Sequence, residues 1–167
     1  MKTANIARAA TTSSALYATL LPTAPPTVTK DPWQCATSNI SQYFDPPKPT
    51  GTLLSAIVSY ADEIFESCSS AAGCDFPPQS KWCGVTSAIK GPMIKSYVTY
   101  ASSASSWVAT KSGAMVAAAT ECPNTWWNSM IQTPNGDIWL NDTLIFSECY
   151  ASLYPPSSTR AAPQKTV

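Results

Sequence analysis

The sequence contains no histidine among its 167 residues. Histidine is the usual general base near neutral pH, and it activates the nucleophile of Ser-His-Asp and Cys-His enzymes. The six glycines have neither the spacing of a P-loop nor that of a dinucleotide-binding turn. We therefore expect a protein that is not an enzyme and that uses no cofactor.

Charged side chains are also scarce, at 12% of the residues compared with about 25% in average proteins. A glycosidase needs two carboxylates that face each other across a cleft, whereas Asp62, Glu63 and Glu66 share one surface of a predicted helix. Ten basic and ten acidic residues leave no net charge, and the basic residues form no stripe. These features argue against carboxylate catalysis and against nucleic acid as a partner.

No apolar run reaches the ~20 residues that a membrane-spanning helix requires, so we predict no membrane span. Near the N-terminus, Lys2 and Arg8 precede a moderately apolar stretch from Ala15 to Leu21. This order of basic and apolar residues is typical of a secretory signal peptide. We predict a signal peptide in residues 1–21, with the cleavage site left open, and secretion to the extracellular space.

The rest of the chain divides by composition. Residues 22–30 are rich in proline and threonine and predict a disordered segment. Residues 31–154 contain all six cysteines and the helical patterns, and they predict one helical domain. Residues 155–167 are polar and predict a disordered tail without the hydrophobic stretch of a lipid-anchor signal.

The number of cysteines is even, which in a secreted chain predicts three disulfides. No Cys-x-x-Cys pair is present, and without histidine a zinc site is not expected. Spacing does not choose among the 15 connectivities that six cysteines allow. The predicted disulfide residues are Cys35, Cys68, Cys74, Cys83, Cys122 and Cys149.

Apolar residues recur at three- and four-residue steps in several segments, which predicts helices. The clearest pattern follows a cap at Thr50 or Thr52 and comprises Leu54, Ile57, Val58, Ala61, Ile64, Phe65 and Cys68. Further helices are predicted over residues 33–44, 125–132 and 141–152, and from Pro92 to Pro123 as either one kinked helix or two, with a disulfide-held loop at 69–84. The predicted fold is an all-α, disulfide-stapled bundle of four to six helices.

Tryptophan is unusually frequent, with six residues in this short chain. Trp126 and Trp127 are adjacent and cannot both face one helical core, so one of them, together with Trp139, is a candidate aromatic platform for a ligand. The alternative is that each tryptophan completes the core.

Two Asn-x-Ser/Thr sequons begin at Asn39 and Asn141, and both are candidate glycosylation sites. Asn141 could instead cap a helix.

Several segments resemble an uncharacterised family of fungal small secreted cysteine-rich proteins, a domain of unknown function. They are Asp31-Pro32-Trp33-Gln34-Cys35-Ala36-Thr37, Tyr43-Phe44, Pro47-Lys48-Pro49-Thr50-Gly51, Trp82-Cys83-Gly84, Cys122-Pro123, Trp139-Leu140-Asn141 and Cys149-Tyr150-Ala151. The resemblance covers about residues 31 to 153 and implies secretion and a shared scaffold. It supplies no catalytic residue.

The function is not identified by any motif. We expect a non-enzymatic extracellular protein, either a wall-associated or surface binding module or an effector-like factor. The candidate partners are a polysaccharide, a host protein or an apolar small molecule. The alternative is a carrier for a sterol or fatty acid, which would need an enclosed cavity lined by residues such as Ile57, Phe65, Tyr97 and Met130.

Overall fold

The computed structural model describes residues 15–66 and 77–155, and within these ranges it contains helices and no strand. The all-α prediction is confirmed. Residues 15–20 form the described part of helix α1, and two short 3-10 helices follow at Trp33–Thr37 and Ile40–Phe44. The other helices are α2 (Gly51–Glu66), α3 (Gln79–Cys83), α4 (Val85–Ala88), α5 (Pro92–Glu121), α6 (Pro123–Gln132) and α7 (Gly136–Leu153).

Helix α5 is the longest element and packs mainly against α7. It is one continuous helix of 30 residues, about 45 Å long at 1.5 Å per residue. Pro92 occupies its first turn, where a missing N–H costs nothing. Gly91 precedes it with a φ of 60°, a conformation that favours glycine. The continuous helix answers the question that the sequence left open between one helix and two.

The core consists of two clusters of buried side chains. The first cluster contains Leu20, Cys35, Ile40, Phe44, Met115, Ala119, Cys122, Trp126, Met130, Leu140 and Leu144. The second cluster contains Leu53, Ile57, Trp82, Val85, Ile89, Tyr97, Tyr100, Ala101, Ile145, Phe146 and Cys149. Helices α5 and α7 contribute to both, and Tyr17 of α1 packs against both.

Two disulfides connect distant parts of the described chain. Cys35 is bonded to Cys122 at the end of α5, across a sequence separation of 87 residues. Cys83 at the end of α3 is bonded to Cys149 in α7. The remaining predicted disulfide residues, Cys68 and Cys74, lie outside the described residues.

The start of α6 is capped from outside the helix. The Asp31 carboxylate accepts hydrogen bonds from the backbone N–H of Asn124 at 3.0 Å and of Thr125 at 2.6 Å. The side chains of both residues also donate to this carboxylate. Burial alone would raise the pKa of Asp31, but these four hydrogen bonds outweigh it and lower the pKa below its ordinary value.

Several predicted boundaries differ from the structure. Residues 33–44 form two 3-10 helices rather than one helix, because Ser38 between them is extended. Residues 79–88 form α3 and α4, so the predicted loop is partly helical. Helix α7 begins at Gly136 rather than near residue 141, directly after the turn at Asn135.

The buried face of α2 is rotated relative to the prediction. Leu53 and Ile57 are buried at a four-residue step, and Ile64 is half-buried on the same side. Val58 is 50% exposed and Phe65 is 39% exposed, although both belonged to the predicted apolar stripe. The prediction of a helix was right, but the sequence pattern contained more apolar positions than one face could bury.

The predicted signal peptide and the segment after it contribute contacts to the described structure. Leu20 has no exposed surface, and its carbonyl accepts a hydrogen bond of 3.0 Å from the indole N–H of Trp126. Residues 22–30 form neither helix nor strand, and the Val28 carbonyl accepts from the Asn124 side chain. Among the described helices, none has the length and apolar character needed to cross a bilayer.

Candidate binding site

An open groove of about 550 Å³ lies between the proline-rich connector before α2 and the first half of α5. We call it the polar groove. Its lining residues are Pro47, Lys48, Pro49, Thr50, Thr52, Leu53, Lys95, Ser96, Thr99, Tyr100 and Ser103. The prolines fix the backbone of the connector wall, and Thr143 of α7 donates to the Pro47 carbonyl at 3.3 Å. The wall is therefore tied to the core.

Hydroxyl groups and two ammonium groups are the main polar groups that line the polar groove. On the α5 side, Lys95, Thr99 and Ser103 recur at four-residue steps and so lie on one helical face. Lys48 supplies a second ammonium from the connector, and none of the described residues that line the groove is acidic. These groups donate hydrogen bonds and carry positive charge, so the groove suits a ligand with many oxygen atoms and negative charge.

Lys48 connects the polar groove to an aromatic ring. Its Nζ lies 2.6 Å from the Asp45 carboxylate and 5.8 Å from the centre of the Trp139 ring. The Lys48 side chain is 37% exposed and the Asp45 side chain 76% exposed. Such a solvent-exposed ion pair contributes little stability, about 0–1 kcal/mol, so Lys48 can exchange its partner for an anionic ligand.

Three tyrosine hydroxyls of the described residues are buried without hydrogen-bond partners, and of these tyrosines Tyr100 lines the polar groove. They belong to Tyr17 of α1 and to Tyr97 and Tyr100 of α5. Burial raises the pKa of Tyr97 to about 12. Burial first, and then the charges of Glu148 and Asp142, raise the pKa of Tyr17 far above its ordinary value. Native proteins usually pair such groups, so these three hydroxyls are an exception to the ordinary packing of a core.

Asp142 of α7 is half-buried and acts electrostatically on Tyr17 and Tyr100, and we call these three residues with Tyr97 the buried polar cluster. Burial raises its pKa from 3.8 to about 6, and no described residue forms an ion pair or a hydrogen bond with its carboxylate. Burial, and then the charge of Asp142, raise the pKa of Tyr100; Thr143, which lies beside Tyr100 but donates to Pro47, opposes this rise. A strongly shifted carboxyl group beside unpaired hydroxyls is typical of functional sites.

The structure separates the three candidate tryptophans. Trp126 is 1% exposed and packs against Phe44 with 4.9 Å between ring centres, so it is a core residue here. Trp127 is half-buried against the first cluster. Trp139, also half-buried, is the one that lies near the polar groove, through its contact with Lys48.

The two sequons occupy different environments. Asn39 is exposed, and its Oδ1 accepts a hydrogen bond of 3.0 Å from Ser41. Asn141 is half-buried inside α7. The alternative that Asn141 caps this helix is wrong, because the cap position is Asn135.

The residues named for a carrier cavity do not meet in one place. Ile57 and Tyr97 belong to the second core cluster, whereas Met130 belongs to the first. Phe65 lies at the surface with its ring edge-on to Trp82. These four side chains therefore do not line a common cavity.

The sequence reasoning missed the polar groove and the buried polar cluster. The four-residue repeat of Lys95, Thr99 and Ser103 was only a weak signal, because α5 carries many other serine and threonine residues along its length. Asp142 and Tyr100 gave no such signal, because burial without a partner is a property of the fold alone.

Comparison with known protein families gives one match that covers most of the chain. A family model described as Domain of unknown function (DUF7735) matches residues 20–159. The chain belongs to the DUF7735 family. The match is longer than the segment of resemblance seen in the sequence, and it includes both described disulfides of this DUF7735 protein. Comparison with curated proteins and with solved structures gave no match.

Proposed function

We propose that this DUF7735 protein is a secreted, non-enzymatic binding protein whose polar groove holds an acidic polysaccharide. The observation that carries the proposal is the lining of the groove, which combines two lysines and several hydroxyls and includes no acidic side chain among the described residues. Polysaccharide oxygens accept hydrogen bonds from such donors, and carboxylate groups on the sugars would pair with the ammonium groups. Trp139, next to Lys48, offers an apolar face for a sugar ring.

Secretion is supported by the two disulfides, since such bonds persist in oxidising compartments. The resemblance of residues 31 to 153 to fungal secreted proteins also supports it. Binding without catalysis is supported by the absence of histidine from the sequence and by the lack of a carboxylate pair among the lining residues.

Retention on insoluble polysaccharides tests the proposal. Cross-linked polygalacturonate serves as the acidic polymer, and chitin and β-glucan serve as neutral polymers. We expect preferential retention on polygalacturonate, with affinity reduced about tenfold by Lys95→Gln and by Lys48→Gln, because each removes one charge-assisted contact. Lys81→Gln is the matched control, since this exposed lysine lies on α3 outside the groove.

Equal loss of retention in the Lys81→Gln control would show nonspecific charge attraction and refute the groove as the site. Absence of retention on all three polymers would refute the proposal altogether. Trp139→Ala should also weaken retention, whereas Trp127→Ala, which alters a residue outside the groove, should leave it unchanged.

A further inference from the structure

The tryptophan at the start of the first 3-10 helix lies mostly in solvent. Trp33 is 77% exposed, whereas Ile131, the next most exposed large apolar side chain among the described residues, is 58% exposed. Tryptophan side chains are highly buried on average, because their large apolar surface favours the core. Packing of the core therefore does not account for the position of this side chain.

The backbone on both sides of Trp33 is fixed to the junction of α5 and α6. Before it, the Asp31 carboxylate accepts the four hydrogen bonds from the start of α6. After it, Cys35 is 3% exposed and is bonded to Cys122. The Cys35 N–H also donates to the Pro32 carbonyl at 3.0 Å, which closes the turn that contains Trp33. Binding of a ligand to the indole would therefore cost little ordering of the backbone.

The geometry of this 3-10 helix places an apolar ridge beside a polar ridge. In a 3-10 helix, side chains three residues apart lie above one another. Trp33 therefore aligns with Ala36, Gln34 aligns with Thr37, and all four side chains are exposed. We call these four residues the Trp33 surface. The Thr37 hydroxyl donates to the Gln34 carbonyl at 3.0 Å, which leaves the hydroxyl oxygen as an acceptor, while the side-chain amide of Gln34 can both donate and accept.

The Trp33 surface lies in an uncharged part of the sequence. No lysine, arginine, aspartate or glutamate occurs from Pro32 to Phe44. The exposed side chains of Ser41 and Gln42 in the second 3-10 helix add further hydroxyl and amide groups. This combination matches a neutral sugar, because the apolar face of a sugar ring can lie on an indole while its hydroxyls bond to amides and hydroxyls.

We propose that the Trp33 surface binds a neutral β-linked glucan. A β-linked glucose unit carries its ring substituents in equatorial positions, so its C–H face is flat and can stack on the indole. The sugar hydroxyls exchange hydrogen bonds with Gln34 and Thr37. This second site does not rest on secretion or on the polar groove, whose lysines belong to the connector and to α5. One stacked ring gives modest affinity, so preferential retention on polygalacturonate is still expected.

NMR titration of the full-length, disulfide-bonded chain tests the proposal. The probes are laminarihexaose, a β-linked glucose hexamer, and maltohexaose, its α-linked counterpart. The indole N–H signal of Trp33 should shift with laminarihexaose, whereas that of Trp126, which is 1% exposed, should not. We expect maltohexaose to bind about tenfold more weakly. Trp33→Ala should weaken laminarihexaose binding about tenfold through loss of stacking, and Gln34→Ala about threefold through loss of a neutral hydrogen bond.

Control variants separate this site from other apolar surface and from the polar groove. Trp33→Phe keeps a flat ring and should retain laminarihexaose affinity within about threefold. Ile131→Ala removes another exposed apolar side chain, and Lys95→Gln removes a charge of the polar groove; neither should change this affinity. Because Trp33 lies at the surface, Trp33→Ala should leave the urea midpoint of unfolding unchanged, so that loss of binding is not loss of the fold.

Three results would overturn the proposal. The first is a folded Trp33→Ala variant with unchanged affinity for laminarihexaose, since the glucan would then bind elsewhere. The second is binding of maltohexaose as tight as that of laminarihexaose, or binding of neither. The third is a dimer in sedimentation analysis that Trp33→Ala dissociates, because the Trp33 surface would then contact a second copy of the chain.

Discussion

Replacing Asp142 by asparagine should stabilise the full-length chain at pH 7 relative to the unsubstituted chain, but not at pH 4. The Asp142 side chain is half-buried, and loss of solvent around its carboxyl group raises the pKa from 3.8 to about 6. Because the folded state holds this proton more tightly than the unfolded state, stability is highest below the unfolded pKa and falls as pH rises through the folded value.

The size of the effect follows from the pKa. The rise from 3.8 to about 6 corresponds to about 3 kcal/mol, at about 1.4 kcal/mol for each pKa unit. Asparagine has nearly the same shape and never ionises, so it avoids this cost. The amide has its own burial cost, but that cost is the same at both pH values. The change in the difference between the two proteins, from pH 4 to pH 7, is therefore the quantity to measure.

The assay is denaturant unfolding of the full-length chain, refolded with its disulfides formed so that α1 is retained, at several pH values between 4 and 7. Thermal unfolding gives a second measure, the difference in melting temperature between the asparagine variant and the unsubstituted chain. This difference should be about 6–12 °C larger, in favour of the variant, at pH 7 than at pH 4. Asp62→Asn, at an exposed position of α2, controls for general charge effects. The reasoning is refuted if the stability difference between Asp142→Asn and the unsubstituted chain is the same at pH 4 and pH 7.

Four other variants test separate parts of the fold by denaturant unfolding. Asp31→Ala should lower the free energy of unfolding by about 1–2 kcal/mol at pH 7, because the cap of α6 is lost. This destabilisation should become smaller as pH falls through the lowered pKa that Asp31 has in the folded state. A destabilisation that does not depend on pH would contradict the role of the Asp31 charge. Gly136→Ala should destabilise the protein by about 1–3 kcal/mol, because the new Cβ would lie 2.9 Å from the Thr133 Cβ and 3.0 Å from the Phe44 Cβ. Gly113→Ala, inside α5, should stabilise it by about 0.5–1 kcal/mol, because the new Cβ would meet nothing within 4 Å. A change of the same sign in both variants would contradict this reasoning. Replacing Cys35 and Cys122 together by serine should cost about 4 kcal/mol, given the 87-residue separation, and a loss under about 1 kcal/mol would show that the bond does little to restrict the unfolded chain.

The helices were predictable from the sequence because their signals are local. Pro92 and the alanine-rich stretch after it define α5, and Pro123 marks the start of α6. The buried faces were harder to predict. In α6 the buried tryptophan is Trp126, whereas the apolar Ile131 is 58% exposed. From the sequence, either Trp126 or Trp127 could face inward, because the choice depends on the position of Phe44, against which Trp126 packs.

The candidate sites could not be predicted, because they combine residues that are far apart in the sequence. The polar groove joins the connector at Lys48 to Lys95 in α5. The disulfide of Cys35 with Cys122 is equally distant, and the spacing of six cysteines does not select it. Pairings across such distances depend on how the helices pack, which the local periodicity does not specify.

Each core cluster has its own disulfide, while α5 and α7 run through both. Cys35 and Cys122 lie in the first cluster, and Cys149 of the other bond lies in the second. Each end of the bundle is therefore cross-linked by its own disulfide, and local unfolding of one end leaves the other end cross-linked. Reducing the Cys35 to Cys122 bond should speed amide exchange around Met115 more than around Tyr97, although both belong to the same helix. A single uninterrupted helix would thus have two local stabilities, determined by the covalent bond nearest to each end.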